Sequence, residues 1–459
     1  MIAKIHVTKN KFFVFCFLLI TAFSTIFLFS KKDNYRYYFH QDDSDSFMDL
    51  FNSVVSWSRF GKHSMSNYPP FAELPYAILG NMIPVQAENT TEQAYALRAS
   101  VPGAFLLMLH ILLFILPFFL LCFFYVEGDN FKKIALSSIL SMSGIVLWSL
   151  QRGNIIVFAF LFAFLFVILY DSESSKKRFF ACVCLAIAAS LKLYPGVFGL
   201  LLLEKRDWKG MAVCALTFLI LYVGAFFACG YTIDQFGDNF KIAFEWAKEN
   251  SGDSSISIPP LVQQAASSEV VPVNSAASVE PAFVDDLAKP NSWVYYAPRG
   301  LNVSMKNFVI VLNKIFFRAS HGAIPFFVGE RFCAVIPFIT LCCGIFSFFF
   351  LKDGWKKLLA MSLMCVYVPE KSGLYSVLFA LVPLIVFLND NSLGKKNYVY
   401  ALLFAVIISM LIIPVEWFGR VHSITLGFLL QCGCLFAFFV LLFLEASSNA
   451  LKMAVSRKL

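Results

Sequence analysis

Charged residues are scarce in this sequence: only 14% of its 459 residues are Asp, Glu, Lys or Arg, whereas 59% are hydrophobic and Phe alone occurs 54 times. The mean hydropathy is +0.72. An ordinary soluble domain carries about 25% charged residues. So little charge excludes a typical soluble protein and predicts an all-α polytopic membrane protein, because helices satisfy their backbone polar groups within lipid.

Cysteine is missing from the long hydrophilic stretches, since all twelve cysteines lie in or beside apolar runs and none forms a CxxC motif. Neither a disulfide framework nor a cysteine metal site is therefore expected. The histidines His40, His63, His110 and His422 are too scattered for a metal site. Nucleic acid binding has no support, because the net charge of +8 comes mostly from short loops between apolar runs.

Apolar runs of about 17 to 25 residues, enough to cross a hydrocarbon core, recur along the whole chain. They lie near 11–30, 103–126, 134–150, 154–170, 210–229, 331–351, 398–414 and 423–444, and polar residues or proline interrupt two further runs, 179–203 and 358–388. The first run lacks a clear small-x-small cleavage site, so we interpret it as a retained span rather than a signal peptide. The pattern predicts one membrane domain over residues 1–459, with roughly 10–12 transmembrane or re-entrant helices.

Lysine and arginine cluster in the loops on one side of these spans, and that side is the cytoplasm by the positive-inside rule. The clusters are Lys4, Lys9 and Lys11; Lys132 and Lys133; Lys176 to Arg178; Lys205, Arg206 and Lys209; Lys352, Lys356 and Lys357; Lys395 and Lys396; and Lys452, Arg457 and Lys458. Both termini are then cytoplasmic, and residues 31–102 and 230–300 form two long external loops. The second loop is rich in Ser, Ala, Val and Pro without periodicity, so we expect it to be flexible.

Three apolar hairpins aim polar turns outward: "LQRGN" with Arg152, "SLKLYPG" with Lys192, and "VPEKSG" with Lys371. Residues 179–191 give only about 20 Å of helix, which is too short to cross a core of about 30 Å. Lys192 therefore lies within the outer half of the membrane, where a charge requires protein or a water-filled cavity around it. These positions predict a cationic cavity open to the outside.

The first external loop supplies the opposite charge in "HQDDSDSFMDLFN". A carboxylate above intramembrane cations suits sugar transfer from a lipid phosphate, because the cations hold the phosphate and the carboxylate accepts a hydroxyl proton. Asp45 is the first candidate for this base, with helix N-capping as its alternative. Asp49 is the second, because it lies one helical turn further on.

The chain resembles the GT-C superfamily of membrane glycosyltransferases, and within it glycosyltransferase family 87, which includes polyprenyl-phosphomannose-dependent mannosyltransferases. The resemblance rests on "SDSFMDLFN", "NYPPF", "QRGNIIVF", "AIAASLKLYPGVFGLLLL", "GLNVSMKNF" and "VPEKSGLYSVLFALVP", in the family's order. It implies a GT-C-like bundle and an inverting transfer of a sugar from a polyprenyl-phosphate donor to an external glycan or glycolipid. It also implies the loop aspartate as base, and no cofactor.

The same motifs supply the candidate substrate-binding residues, which are Tyr68, Arg152, Asn154, Lys192, Tyr194, Glu370, Lys371 and Tyr375. Family members often carry Ser-Trp and His after the proline of the last motif, where this chain has Glu370 to Gly373 and then Tyr375. The sugar and the acceptor therefore do not follow from the resemblance. Arg152 and Lys192 have a second interpretation, in which their cations only snorkel to the headgroups.

Two other functions fit a many-span protein with a large external loop. A polymerase or ligase of lipid-linked glycans usually carries arginine or histidine in its large late loop. It is disfavoured here, because loop 230–300 carries only Arg299 and the lysines Lys241, Lys248 and Lys289. A transporter is less favoured still, because no repeat is evident and the charges gather toward one face. The oligomeric state does not follow from the sequence.

Overall fold

The protein is described by a computed structural model that covers residues 8–30, 46–61, 68–83, 90–238, 241, 303–319, 330–369, 372–390, 397–409 and 426–456. These residues are almost entirely helical and contain no β-strand. The prediction of an all-α polytopic membrane protein is confirmed. Of the sequence predictions, those for Asp45, Glu370, Lys371 and most of loop 230–300 fall outside the described residues.

The helices of the first half are α1 (Lys9–Ser30), α2 (Met48–Phe60), α3 (Pro70–Asn81), α4 (Thr90–Ala99), α5 (Val101–Tyr125), α6 (Asn130–Ser141), α7 (Gly144–Gln151), α8 (Ile156–Leu169) and α9 (Ser175–Leu191). Those of the second half are α10 (Leu200–Glu204), α11 (Trp208–Ala228), α12 (Met305–Ala319), α13 (Glu330–Phe350), α14 (Gly354–Tyr367), α15 (Leu381–Asn389), α16 (Tyr398–Ser409) and α17 (Leu426–Ser456). Short 3-10 helices, Tyr194–Gly199 and Leu374–Ala380, precede α10 and α15.

Four described helices, α1, α5, α11 and α17, are long and apolar enough to cross a membrane by themselves. The run 134–150, predicted as one span, consists of the pair α6 and α7, which together are long and apolar enough to cross a membrane and are bent by 43° at the break between them. The bend falls at Met142 and Ser143, where the backbone leaves the helical conformation and Ser143 precedes α7. Further apolar helices of 10–17 residues, such as α8 and α16, fill the bundle.

The break predicted at Lys192 is present, although α9 begins at Ser175, four residues before the expected start. The helix ends at Leu191, and Lys192 is extended, with φ −149° and ψ 129°. A 3-10 helix with Pro195 follows. Proline lacks an amide hydrogen and disfavours helix in the residue before it, so the chain cannot continue α9 through this point.

The described part of the loop predicted to be external, residues 31–102, is a small helical layer rather than irregular chain. Helix α2 packs on α3 and on α4, and this layer shares an apolar cluster with residues at the ends of α8, α9 and α11. Phe51, Val54 and Val55 of α2 are fully buried in this cluster. The layer therefore holds the start of α2 against the turn that joins α7 to α8.

Ion pairs connect the loops at the far end of the bundle. Lys356 of α14 bridges Asp353 and Glu445 at 2.7 Å each. Lys205, which directly follows α10, pairs with Asp171 in the turn between α8 and α9. Helix α8 starts beside the "QRGN" turn and runs to the α8–α9 turn, and α9 then runs back to Lys192. The basic cluster Lys176 to Arg178 at the start of α9 therefore lies at the opposite end of the bundle from the turns that carry Arg152 and Lys192.

The orientation of these ends is a prediction that one-sided labelling can test. We expect Ser44→Cys, beside Asp45, to react with an impermeant thiol reagent on intact cells, and Ser175→Cys, beside Lys177, to react only after lysis. The reason is the lysine and arginine bias of the loops. Gln151 and Gly373 should behave as external positions, and Lys356 and Lys395 as cytoplasmic ones. Labelling of Ser44→Cys from the cytoplasmic side alone would contradict an external site.

Candidate active site

Asp49 lies in the first turn of α2, which is docked on the turn between α7 and α8 by backbone hydrogen bonds. The Phe47 N–H donates to the Gln151 carbonyl at 2.5 Å, and the Asp49 N–H donates to the Arg152 carbonyl at 3.2 Å. Two segments about 100 residues apart in sequence are thereby held side by side. The docking brings an acidic side chain of the first loop onto the predicted cationic turn.

The Asp49 carboxylate bridges two side chains of this turn. Its Oδ1 accepts from Arg152 Nη2 at 2.5 Å, and its Oδ2 accepts from Asn154 Nδ2 at 2.8 Å. Asn154 is only 1% exposed, whereas the side chains of Asp49 and Arg152 are 18% and 19% exposed. The ion pair is thus partly open to solvent above a buried amide.

Asn154 is oriented by the helix that follows it. Its Oδ1 accepts the backbone N–H of Ile156, the first residue of α8, at 3.0 Å. A side-chain oxygen of this kind satisfies an otherwise unpaired amide at a helix start. Because the oxygen is used in this way, the amide nitrogen points to Asp49 and, at 3.0 Å, to the Tyr68 hydroxyl.

Tyr68 and Lys192 form the next part of the site. The Lys192 ammonium lies 3.9 Å from the centre of the Tyr68 ring, a cation–π distance. Burial, together with the nearby Asp49 carboxylate, raises the pKa of the Tyr68 phenol well above its ordinary value. Tyr68 therefore keeps its proton at neutral pH and serves as a neutral hydrogen-bonding group beside Lys192 and Asn154.

Further tyrosines surround the carboxylate. Tyr375 lies within electrostatic range of both Asp49 and Arg152, and Tyr76 of α3 within range of Asp49. The rings of Tyr68 and Tyr76 are 6.4 Å apart. Tyr194 lies near Tyr375, and its ring packs 5.8 Å from Phe379. Phenol rings and hydroxyls beside a carboxylate can contact both the apolar faces and the hydroxyl groups of a sugar.

The structure thus brings together six of the residues proposed from sequence: Asp49, Tyr68, Arg152, Asn154, Lys192 and Tyr375, with Tyr194 near Tyr375.

The sequence-based prediction missed Tyr76, and it missed the direct pairing of Asp49 with Arg152. It also missed buried Glu73, which is 2% exposed and accepts a hydrogen bond from the Tyr231 hydroxyl. A lone acid within the apolar stretch "PPFAELPY" was the available signal. In the described part of the chain, no cluster of His, Cys, Asp or Glu could hold a metal ion.

Gly153 lets the two segments approach. Its φ is +66°, a conformation that favours glycine, and an added Cβ would lie 2.9 Å from the Phe47 carbonyl oxygen and 3.0 Å from Leu50 Cβ. We expect Gly153→Ala to lower the free energy of unfolding by about 1–3 kcal/mol and to reduce turnover, because α2 must move off the turn. Thermal unfolding in detergent and a turnover assay measure both effects.

The matched control is Gly224→Ala in α11, where an added Cβ would meet no atom within 4 Å. Its stability and turnover should equal those of the wild type or exceed them slightly, since alanine favours helix over glycine. Equal behaviour of the two variants would show that the approach of α2 to the turn is not needed.

Comparison with family models matches residues 67–267, somewhat under half of the chain, to glycosyltransferase family 87. No curated protein and no solved structure gives a significant match. The matched range contains Tyr68, Arg152, Asn154, Lys192 and Tyr194, and it ends before the motif with Tyr375. Asp49 precedes the range and reaches the site by the docking of α2. This match to glycosyltransferase family 87 over residues 67–267 supports a membrane glycosyltransferase and is consistent with one of the GT-C-like type.

Proposed function

We propose that this glycosyltransferase transfers a sugar from a polyprenyl-phosphate donor to an external glycan or glycolipid acceptor, with inversion at the anomeric carbon. The observation that carries the proposal is a carboxylate, Asp49, that pairs with Arg152 and lies within electrostatic range of Lys192, where hairpin turns meet at one end of a membrane bundle. Two cations and one carboxylate leave an excess positive charge, which suits a phosphate monoanion joined to a sugar.

Arg152 and Lys192 hold the donor phosphate in this proposal. Arginine presents a planar fork of donors that matches phosphate, whereas lysine acts as a compact point charge. A donor phosphate that approaches Arg152 competes with Asp49 for the same guanidinium. Binding of the donor then draws Arg152 toward the phosphate and leaves the Asp49 Oδ1 exposed to the acceptor.

Asp49 is the proposed base. The acceptor hydroxyl attacks the anomeric carbon, its proton passes to Asp49, and the bond from that carbon to the phosphate oxygen breaks. The electron pair leaves with the polyprenyl phosphate, where the two cations stabilise the growing negative charge. A carboxylate has about four lone-pair sites, so the hydrogen bond from Asn154 fixes its orientation and still leaves sites for the proton.

The test is to incubate the purified protein with a panel of polyprenyl-phosphate sugars and candidate acceptors, and to measure the release of polyprenyl phosphate. We expect release with at least one donor, and an opposite anomeric configuration in the product. Activity confined to diphosphate-linked oligosaccharides would favour the polymerase or ligase function instead. A product of unchanged configuration would contradict the single displacement.

A further inference from the structure

The peptide unit between Ser46 and Phe47 is held at both ends just before α2 begins. Its N–H, on Phe47, donates to the Gln151 carbonyl at 2.5 Å. Its C=O, on Ser46, accepts from Arg98 Nη1 at 2.9 Å. A peptide unit is planar, so two anchors on opposite edges fix the orientation of the whole plane.

This orientation sets an unusual backbone conformation. Phe47 has φ 61° and ψ 12°, in the left-handed region that residues with a Cβ rarely adopt. Such a conformation persists only where the surrounding structure enforces it, and it is often found at functional sites. The direction of α2, and with it the position of Asp49 against Arg152, follows from the rotation at Phe47.

Arg98 acts from a separate element. It lies in the last turn of α4, its guanidinium is 5.2 Å from the Tyr95 ring, and its Nη1 reaches the Ser46 carbonyl. Gln151 adds a weaker restraint, because its Nε2 donates to the Ser46 hydroxyl at 3.0 Å. The charged anchor on the carbonyl is the stronger of the two side-chain contacts, since a hydrogen bond from an ionised donor exceeds a neutral one.

We propose that Arg98 is a positioning residue of the transferase, which holds Asp49 in line with Arg152 through the Ser46 carbonyl. This inference rests on the proposed function, in which Asp49 and Arg152 act on the substrates. Arg98 lies outside the sequence motifs that carry the family resemblance, so its role depends on the tertiary contact alone. A positioning residue should affect the rate of transfer without affecting donor binding.

The test is Arg98→Met, which keeps an unbranched apolar stem beside Tyr95 and removes the donor group. We expect kcat to fall about 10-fold or more while KM for the donor stays within about twofold, because a small misplacement of a reacting group slows the chemical step. Arg98→Lys, which keeps a charged donor, should have an intermediate kcat. Guanidinium ion at millimolar concentration should restore part of the kcat of Arg98→Ala.

Arg59→Ala is the matched control. Arg59 lies in the last turn of α2, whereas Asp49 lies in the first turn of that helix. Its kcat should equal the wild-type value. Should Arg98→Met fail to fold, as judged by its thermal unfolding in detergent, Arg98→Gln takes its place with an expected kcat below that of the wild type.

Three results would overturn the proposal. Wild-type kcat in a folded Arg98→Met or Arg98→Gln variant, beside an inactive Asp49→Asn, would refute the positioning role and leave the proposed function intact. A raised donor KM with unchanged kcat would assign Arg98 to donor binding instead. Full turnover in Asp49→Asn would refute Asp49 as the base, and the positioning role with it, whereas release of polyprenyl phosphate by the wild type tests the proposed function separately.

Discussion

Asp49→Asn lowers the turnover of the purified protein by about 100-fold or more, with folding intact, if Asp49 is the base of the transfer. Asparagine has nearly the same size and keeps one acceptor oxygen, which can accept a hydrogen bond from Arg152 or from Asn154. It cannot take a proton from the acceptor hydroxyl. The measurement is release of polyprenyl phosphate at saturating donor, with thermal unfolding in detergent to verify the fold.

Asp45→Asn and Asp42→Asn are the comparisons for this result. Asp45 was the first candidate from sequence, and it lies outside the described residues, so its role stays open to this experiment. If Asp49 is the base, Asp45→Asn and Asp42→Asn should each retain most of the wild-type turnover. Near-normal turnover in Asp49→Asn, together with loss in Asp45→Asn, would transfer the base role to Asp45.

Arg152→Ala and Lys192→Ala should each lower kcat/KM for the donor by about 10- to 100-fold, the loss expected for one charge-assisted contact. The maximal rate should fall as well as the affinity, because charge on the leaving phosphate grows as the glycosidic bond breaks. Arg152→Lys should recover only part of the loss, since lysine cannot form the bidentate contact. Donor titration with each purified variant measures both parameters.

Cations at the opposite end of the bundle provide matched controls. Lys205 pairs with Asp171, and Arg178 donates to the Ser172 carbonyl at 3.0 Å. Lys205→Ala and Arg178→Ala remove the same charges without touching the site, so their donor kinetics should match those of the wild type. Unchanged kinetics in both Arg152→Ala and Lys192→Ala would instead return these two residues to a snorkelling role at the headgroups.

Composition and apolar run length alone determined the all-α membrane class and most of the helix positions. Polar residues between apolar runs also located the turn after α7, and polar residues with proline located the break after α9, because such residues end an apolar helix locally. The run predicted as a span over 134–150 is bent at Met142 and Ser143, where no proline lies and the Ser143-Gly144 pair is the local signal for a kink.

The motifs also supplied most members of the candidate site, since Tyr68, Arg152, Asn154 and Lys192 each stand out as polar residues at the edge of an apolar run. They did not show which aspartate of "HQDDSDSFMDLFN" meets the cations. Asp49 does so in the structure, through the backbone bonds of α2 to the turn at Arg152.

What the sequence by itself determined is therefore the class of protein, the hairpin turns and the chemical types of the site residues, because these follow from short-range periodicity and residue chemistry. Only the tertiary structure decided the pairing of Asp49 with Arg152, the burial of Glu73 against Tyr231, and the contact of Arg98 with Ser46. The physical reason is that each contact joins residues about 50 to 160 positions apart, whose approach depends on how α2, α3 and α4 pack on the bundle.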